Sequence, residues 1–266
     1  MSERSAADEE AIESTRAPLL DHLIELRKRI IWSIIAFFVC FGLCFTFAAQ
    51  IYSFLTIPLA HALQGLPTKN LIATGLTETF FTYMRLGAFG GACLAFPIIA
   101  AQIWMFVAPG LYKNERSAFL PFLLATPFLF VLGAAFVLYV MLPFAIKALV
   151  AFDKPGSAGN LGIQFLPRVS EYLDFVTTLI LAFGVTFQMP VLLILLGRVG
   201  ILTAAQLRSA RRYAIVGITA VAAIFTPPDI FSMVSLVVPL LVLYEISILG
   251  VWLVERSEAK ARAAST

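Results

Sequence analysis

Charged residues divide the chain into long apolar stretches. Between charges lie 39 uncharged residues at 30–68, 27 at 86–112, 30 at 117–146 and 23 at 175–197. Two shorter stretches follow, 16 residues at 213–228 and 15 at 230–244. A helix crossing a bilayer needs about 20 mostly apolar residues. The first stretch holds one such helix and then a loop, because Pro58, Gly65 and Pro67 interrupt its second half. The pattern therefore predicts six spans, near 30–50, 78–102, 119–145, 171–196, 211–226 and 231–253. The last two are short, and Pro227, Pro228 and Asp229 leave only a tight turn between them. Short neighbouring helices cross a hydrocarbon core about 30 Å thick only where the bilayer thins, so local thinning is expected on that side.

Composition agrees with this pattern. Hydrophobic residues make up 60% of the chain and charged residues 13%, about half the charge density of a soluble domain. That excludes a soluble enzyme, a disordered chain and a fibrous repeat. The predicted fold class is an all-α integral membrane protein with six transmembrane helices in a curved, cupped bundle. Pro97, Pro121, Pro127, Pro190 and Pro239 inside the spans either bend the bundle into a concave face or reflect the higher proline content of membrane helices. Gly87-x-x-x-Gly91 permits close helix approach. Of the 19 lysines and arginines, 14 fall in the N-terminal tail, 103–118, 197–213 and the C-terminal tail. An excess of bases marks the cytoplasmic side, so both termini are expected there. The organisation read from this is a polar, disordered tail at 1–18, a membrane domain at 19–254 and a short tail at 255–266. The first apolar run follows a flank rich in both acids and bases, without a cleavable signal pattern.

Candidate chemistry is sparse. Phosphate-binding loops, H-E-x-x-H and G-x-S-x-G are absent. His22 and His61 fall on opposite sides of the first span, and Cys40, Cys44 and Cys93 lie in apolar runs. Neither set makes a metal site or a disulfide framework. No enzyme activity, cofactor, metal or nucleic acid is expected. Two acids stand out on the otherwise basic cytoplasmic face, Glu25 and Glu115. One reading pairs Glu25 with Arg29 at i,i+4, which contributes about 0.3–0.5 kcal/mol. The other has the two carboxylates receive an arginine-rich ligand, whose guanidinium forks match carboxylates bidentately. Gln188, inside the fourth span, bonds either to a neighbouring helix of the same chain or to a helix of another protein. Glu78 and Arg85 start the second span. Glu245, the acid of the sixth, sits either within the membrane or near its cytoplasmic surface.

Four stretches carry a resemblance. They are His-Leu-Ile-Glu-Leu-Arg-Lys-Arg at 22–29, Phe-x-x-Pro-Gly-Leu-Tyr-Lys-Asn-Glu-Arg at 106–116, Ala-Phe-Gly-Val-x-Phe-x-x-Pro at 182–190 and Phe-Thr-Pro-Pro-Asp at 225–229. In this order, over nearly the whole chain, they resemble the TatC family, the multispanning subunit of the twin-arginine (Sec-independent) protein translocase. The resemblance implies a receptor and core scaffold for protein export in the cell inner membrane. Such a protein binds the twin-arginine signal peptides of folded cargo, recruits single-span TatA and TatB helices, self-associates and uses the proton-motive force. Signal-binding carboxylates map onto Glu25 and Glu115, and the patch around them onto Arg27, Phe106, Leu111, Tyr112 and Lys113. Pro58 and Asp229 match positions near the outer loops that affect transport. Gln188 is a departure, because family members often carry glutamate there. A glutamine cannot take part in a protonation cycle, so its role is limited to hydrogen bonding, for example to a partner helix. The rival readings are a small-solute or ion secondary transporter, which needs an ionisable path at mid-membrane, and an intramembrane hydrolase.

Overall fold

The computed structural model describes residues 3–63, 71–107, 116–150, 167–225 and 230–264. Among them the secondary structure is helical, apart from one isolated parallel bridge between Ile72 and Arg168. The helices are α1 Glu3–Thr46, α2 Ala48–Ala62, α3 Glu78–Val107, α4 Arg116–Phe136, α5 Leu142–Val150, α6 Val169–Thr186, α7 Met189–Arg198, α8 Ala204–Ser209, α9 Arg211–Phe225 and α10 Ile230–Ala264. A π-helical turn, Val137–Met141, joins α4 to α5. Among the described residues, five helical stretches are long and apolar enough to cross a membrane: His22–Thr46, Glu78–Phe106, Phe122–Lys147, Val169–Arg198 and Leu236–Ser257.

Helix boundaries depart from the apolar count in four places. First, the stretch read as a loop after the first span contains α2, with Pro58 inside it. A proline inside a helix removes one backbone bond and crowds the carbonyl four residues back, which membrane helices tolerate through neighbouring contacts and local adjustment. The break before α2 is a single residue, Phe47, whose N–H donates to the Cys44 carbonyl at 3.1 Å. Second, α9 is short as expected, with 15 residues, or about 22 Å at 1.5 Å per residue. Third, the last span is not short. It lies inside the 35-residue α10, whose apolar part, Leu236–Ser257, has 22 residues and a length of about 33 Å. Glu245 ended the apolar count but not the helix, because Arg211 at the start of α9 pairs with it at 2.7 Å. Fourth, helical backbone extends past 19 and 254, the ends expected for the membrane domain, from Glu3 in α1 and to Ala264 in α10. The segments 3–18 and 255–264 are rich in Ala, Glu and Arg, which are good helix formers.

The core is built around α6. Val176, Leu179, Ile180 and Phe183 are buried there, in one cluster with Leu55 and Leu59 of α2, Leu86 of α3, Val137 and Met141 of the π turn, and Leu236 and Leu240 of α10. Pro190 lacks an N–H and sets the break between α6 and α7. The chain turns there through Phe187 and Gln188, with Phe187 N–H on the Phe183 carbonyl at 2.8 Å. Two buried tyrosines tie elements together through their hydroxyls. Tyr172 donates to the Leu55 carbonyl at 2.7 Å, and Tyr244 to the Leu207 carbonyl at 2.8 Å. Helix α1 lies outside this core and packs chiefly on α3. Glycines set that contact. A Cβ on Gly91 would meet Phe41 Cα at 2.7 Å, and one on Gly87 would meet Phe45 Cα at 3.1 Å. The Gly87-x-x-x-Gly91 pattern thus lets two backbones touch.

Candidate functional site

The α1–α3 contact carries a polar cluster near the start of the apolar part of α1 and the end of α3. Glu25 and Arg29 lie one turn apart, so their side chains meet on one face. Arg29 Nε donates to Glu25 Oε1 at 3.0 Å, and Arg29 Nη2 reaches the same oxygen. Arg29 Nη1 also donates to Gln102 Oε1 of α3 at 3.4 Å. One turn further along α3, Phe106 stacks on His22, with ring centroids 4.2 Å apart. Glu25, Arg29, Gln102, His22 and Phe106 therefore form one cross-helix set. The intrahelical reading of Glu25 is the arrangement present. Both contacts fall on Oε1, and the Glu25 side chain remains 35% exposed. The carboxylate is thus occupied on one oxygen and reachable by a second cation.

The other sequence-predicted residues are distributed as follows. Arg27 is exposed on α1, two residues from Glu25 and so about 200° around the helix. It is not on the Glu25 face. Glu115, Leu111, Tyr112 and Lys113 lie outside the described residues, as does Asp229. Pro58 lies within α2, half-buried. Gln188 sits at the α6–α7 break. Its Nε2 donates to the Thr126 carbonyl of α4 at 3.0 Å and to the Gly184 carbonyl at 3.3 Å. Thr126 Oγ1 in turn accepts from Trp104 Nε1 at 3.0 Å, so α3, α4 and the α6–α7 junction share one polar knot. Gln188 therefore bonds within its own chain. Its Oε1 is buried and has no hydrogen-bond partner among the described residues. An outside donor reaches that oxygen only if the knot opens.

Sequence reasoning missed Gln102, His22 and the Thr126–Trp104 knot. Gln102 and Phe106 do repeat at i,i+4, but that spacing points nowhere until α1 is known to lie against α3. Glu245 is resolved by its Arg211 partner. The pair sits where α9 begins, with side chains about half exposed, rather than as a lone buried carboxylate.

Comparison with known proteins agrees with this architecture. The family model described as Sec-independent protein translocase protein (TatC) matches residues 21–239. A Sec-independent protein translocase protein TatC of Magnetococcus marinus is 44% identical over 249 residues, covering 94% of this chain and 89% of that protein. The TatC of Escherichia coli K12 is 39% identical over 239 residues, covering 90% and 89%. A crystal structure of the twin-arginine translocase receptor TatC superposes with a TM-score of 0.76 at 38% identity, covering 88% of this chain and 99% of that one. With the same fold and this level of identity over most of its length, the chain belongs to the TatC family of Sec-independent protein translocase proteins.

Proposed function

We propose that this protein is the receptor and core scaffold of a twin-arginine export system. It binds the twin-arginine signal peptides of folded proteins at its cytoplasmic face. Glu25 and Glu115 receive the arginines, and Arg27, Phe106, Leu111, Tyr112 and Lys113 surround them. TatA- and TatB-type helices are then recruited, and the proton-motive force drives transport. The protein resides in the cell inner membrane with six spans and cytoplasmic termini, and it self-associates in a receptor complex. No catalytic step is part of this reading.

The observation that carries the proposal is the likeness to the solved twin-arginine translocase receptor over 88% of the chain. The Glu25 geometry supports it. A carboxylate already engaged by Arg29 on one oxygen is in a guanidinium-compatible setting. An incoming arginine either uses the second oxygen or exchanges with Arg29. Charge-assisted bonds of this kind contribute about 1.5–3 kcal/mol each, and lysine cannot form the bidentate fork. Binding of a labelled signal peptide to the purified chain tests this. An Arg-Arg peptide is expected to bind, and a Lys-Lys peptide much less. Glu115→Ala weakens binding tenfold or more, a change of about 1.4 kcal/mol. Unchanged binding in both single mutants and in the Glu25→Ala, Glu115→Ala double mutant refutes the assignment.

Gln188 is proposed as the partner-helix contact, with its unsatisfied Oε1 as the acceptor once the knot with Thr126 opens. Gln188→Leu then reduces association with a TatA-type helix or transport and leaves peptide binding intact. Full transport in that mutant removes the role. Pro58, which lies in α2 rather than in a loop, and Asp229 are assigned to transport near the outer side, which substitution at either position tests by cargo export.

A further inference from the structure

Helices α3 and α6 start side by side. Ile72 N–H donates to the Pro167 carbonyl at 3.2 Å, and Val169 N–H donates to the Ile72 carbonyl at 3.0 Å. Glu78 joins the two starts by accepting from Thr74 N–H at 2.7 Å, Gly75 N–H at 3.0 Å and Ser170 Oγ at 2.7 Å. Beyond it, polar residues continue at i, i+4 and i+7 on both helices. They are Glu78, Thr82 and Arg85 on α3, and Ser170, Asp174 and Thr177 on α6. That spacing keeps each set on one face. Thr82 is buried, and Arg85 Nη1 pairs with Asp174 Oδ2.

This last pair is not enclosed. The Arg85 and Asp174 side chains are 61% and 50% exposed. Phe81, also exposed, lies one turn before Arg85, and exposed Thr178 lies one turn after Asp174. The apolar span that begins at Glu78 has 29 residues, about 43 Å, against a hydrocarbon core about 30 Å thick. Sharing the excess between both ends puts the core boundary about 6–7 Å from Glu78, while Arg85 is about 10 Å along. The pair thus sits just inside the boundary, at a depth from which a guanidinium reaches the phosphate layer.

Charges open to hydrocarbon are costly, and a ligand of matching polarity lowers that cost. An anion meets Asp174, and a cation meets Arg85. A zwitterion carrying phosphate and ammonium suits both. Arg85 has N–H groups beyond Nη1 to donate, and a carboxylate accepts on both oxygens. A primary ammonium donates hydrogen bonds to a carboxylate, whereas a trimethylammonium has none to give. We propose that Arg85 and Asp174, rimmed by Phe81 and Thr178, form a lateral site for the phosphoethanolamine headgroup of a membrane lipid. The phosphate lies on Arg85, the ammonium on Asp174 and the acyl chains along the apolar flank.

Native mass spectrometry of the delipidated chain tests this with phosphatidylethanolamine, phosphatidylcholine and phosphatidylglycerol of matched chains. Phosphatidylethanolamine is expected to be retained about tenfold better than the other two, roughly the effect of one good polar contact. Arg85→Gln and Asp174→Asn each abolish the preference. Each leaves one charge unpaired, so the double variant Arg85→Gln, Asp174→Asn serves as the folded neutral control and also shows no preference. Equal retention of the three lipids by the unmodified chain overturns the proposal, as does a preference that survives in the double variant. Displacement of the lipid by millimolar glycerophosphoethanolamine indicates a site for a soluble ligand and overturns the lipid assignment. A photo-crosslinker at Thr178 is expected to label lipid in membranes. Labelling of another protein instead assigns the surface to a partner helix and overturns the proposal.

Discussion

Helices α1 and α6 are both long and apolar, yet they are held in opposite ways. Core residues surround α6, and Val176, Leu179 and Phe183 have almost no exposed surface. Helix α1 rests chiefly on α3, and none of its most apolar window is buried. Ile31, Ile35, Phe38 and Val39 face outward. A bilayer is as apolar as a leucine side chain, so hydrophobicity alone does not hold two helices together in it. Shape does. Large rings interlock around α6, and glycine permits the close approach of α1. The difference separates a helix that carries stability from one that carries the candidate site. Glu25 and Arg29 lie on the peripheral helix, where Arg29 reaches α3 without carrying the core.

The strongest way to break the comparison is at α6. Phe183→Ala leaves a cavity beside the rings of Phe136 and Phe187. A loss of about 2–3 kcal/mol is expected. This is below the about 3–5 kcal/mol of cores in water, because the reference state in lipid is also apolar. Denaturant titration in mixed micelles measures it. Next is Gly91→Leu. A side chain there meets the Phe41 backbone, so α1 must move away from α3. Overpacking of this kind costs about 1–3 kcal/mol. Spin labels on the two helices are expected to report a wider separation, with loss of the His22–Phe106 stack. An unchanged distance contradicts the glycine argument. The smallest effect is expected for Phe38→Ala on the outward face of α1. Its stability change stays within about 0.5 kcal/mol in micelles. A larger loss there means that another chain or a bound lipid covers this face.

Some of the site was legible from spacing alone. Glu25 and Arg29 are four residues apart, and a helix through them brings the two charges together regardless of what surrounds it. The glycines at 87 and 91 marked a close approach, though not which helix makes it. Helix α2 was not legible, because a proline and two nearby breakers read as a loop when only their presence is counted. Pro58 lies inside the helix, where the packing of Leu55 and Leu59 in the core offsets its missing bond, and the helix ends before Gly65 and Pro67. The span read at 231–253 already passed through Glu245, but the extension of α10 to Ala264 was not legible, nor was the pairing of Glu245 with Arg211, which opens a helix 34 residues earlier.

Apolar run lengths determined that the protein is helical and membrane-embedded, because every segment in a bilayer must satisfy its own backbone and match its solvent. The same local logic reached the Glu25–Arg29 pair and the glycine contact surface. Only the tertiary structure decided that Arg29 reaches Gln102, that His22 stacks on Phe106 and that Gln188 spends its amide on Thr126. These partners are dozens of residues apart in the chain. Which of them meet depends on the axial register between packed helices, and side-chain shape sets that register at contacts such as Phe41 on Gly91. Hydropathy records what each helix requires of its surroundings and carries no information about that register.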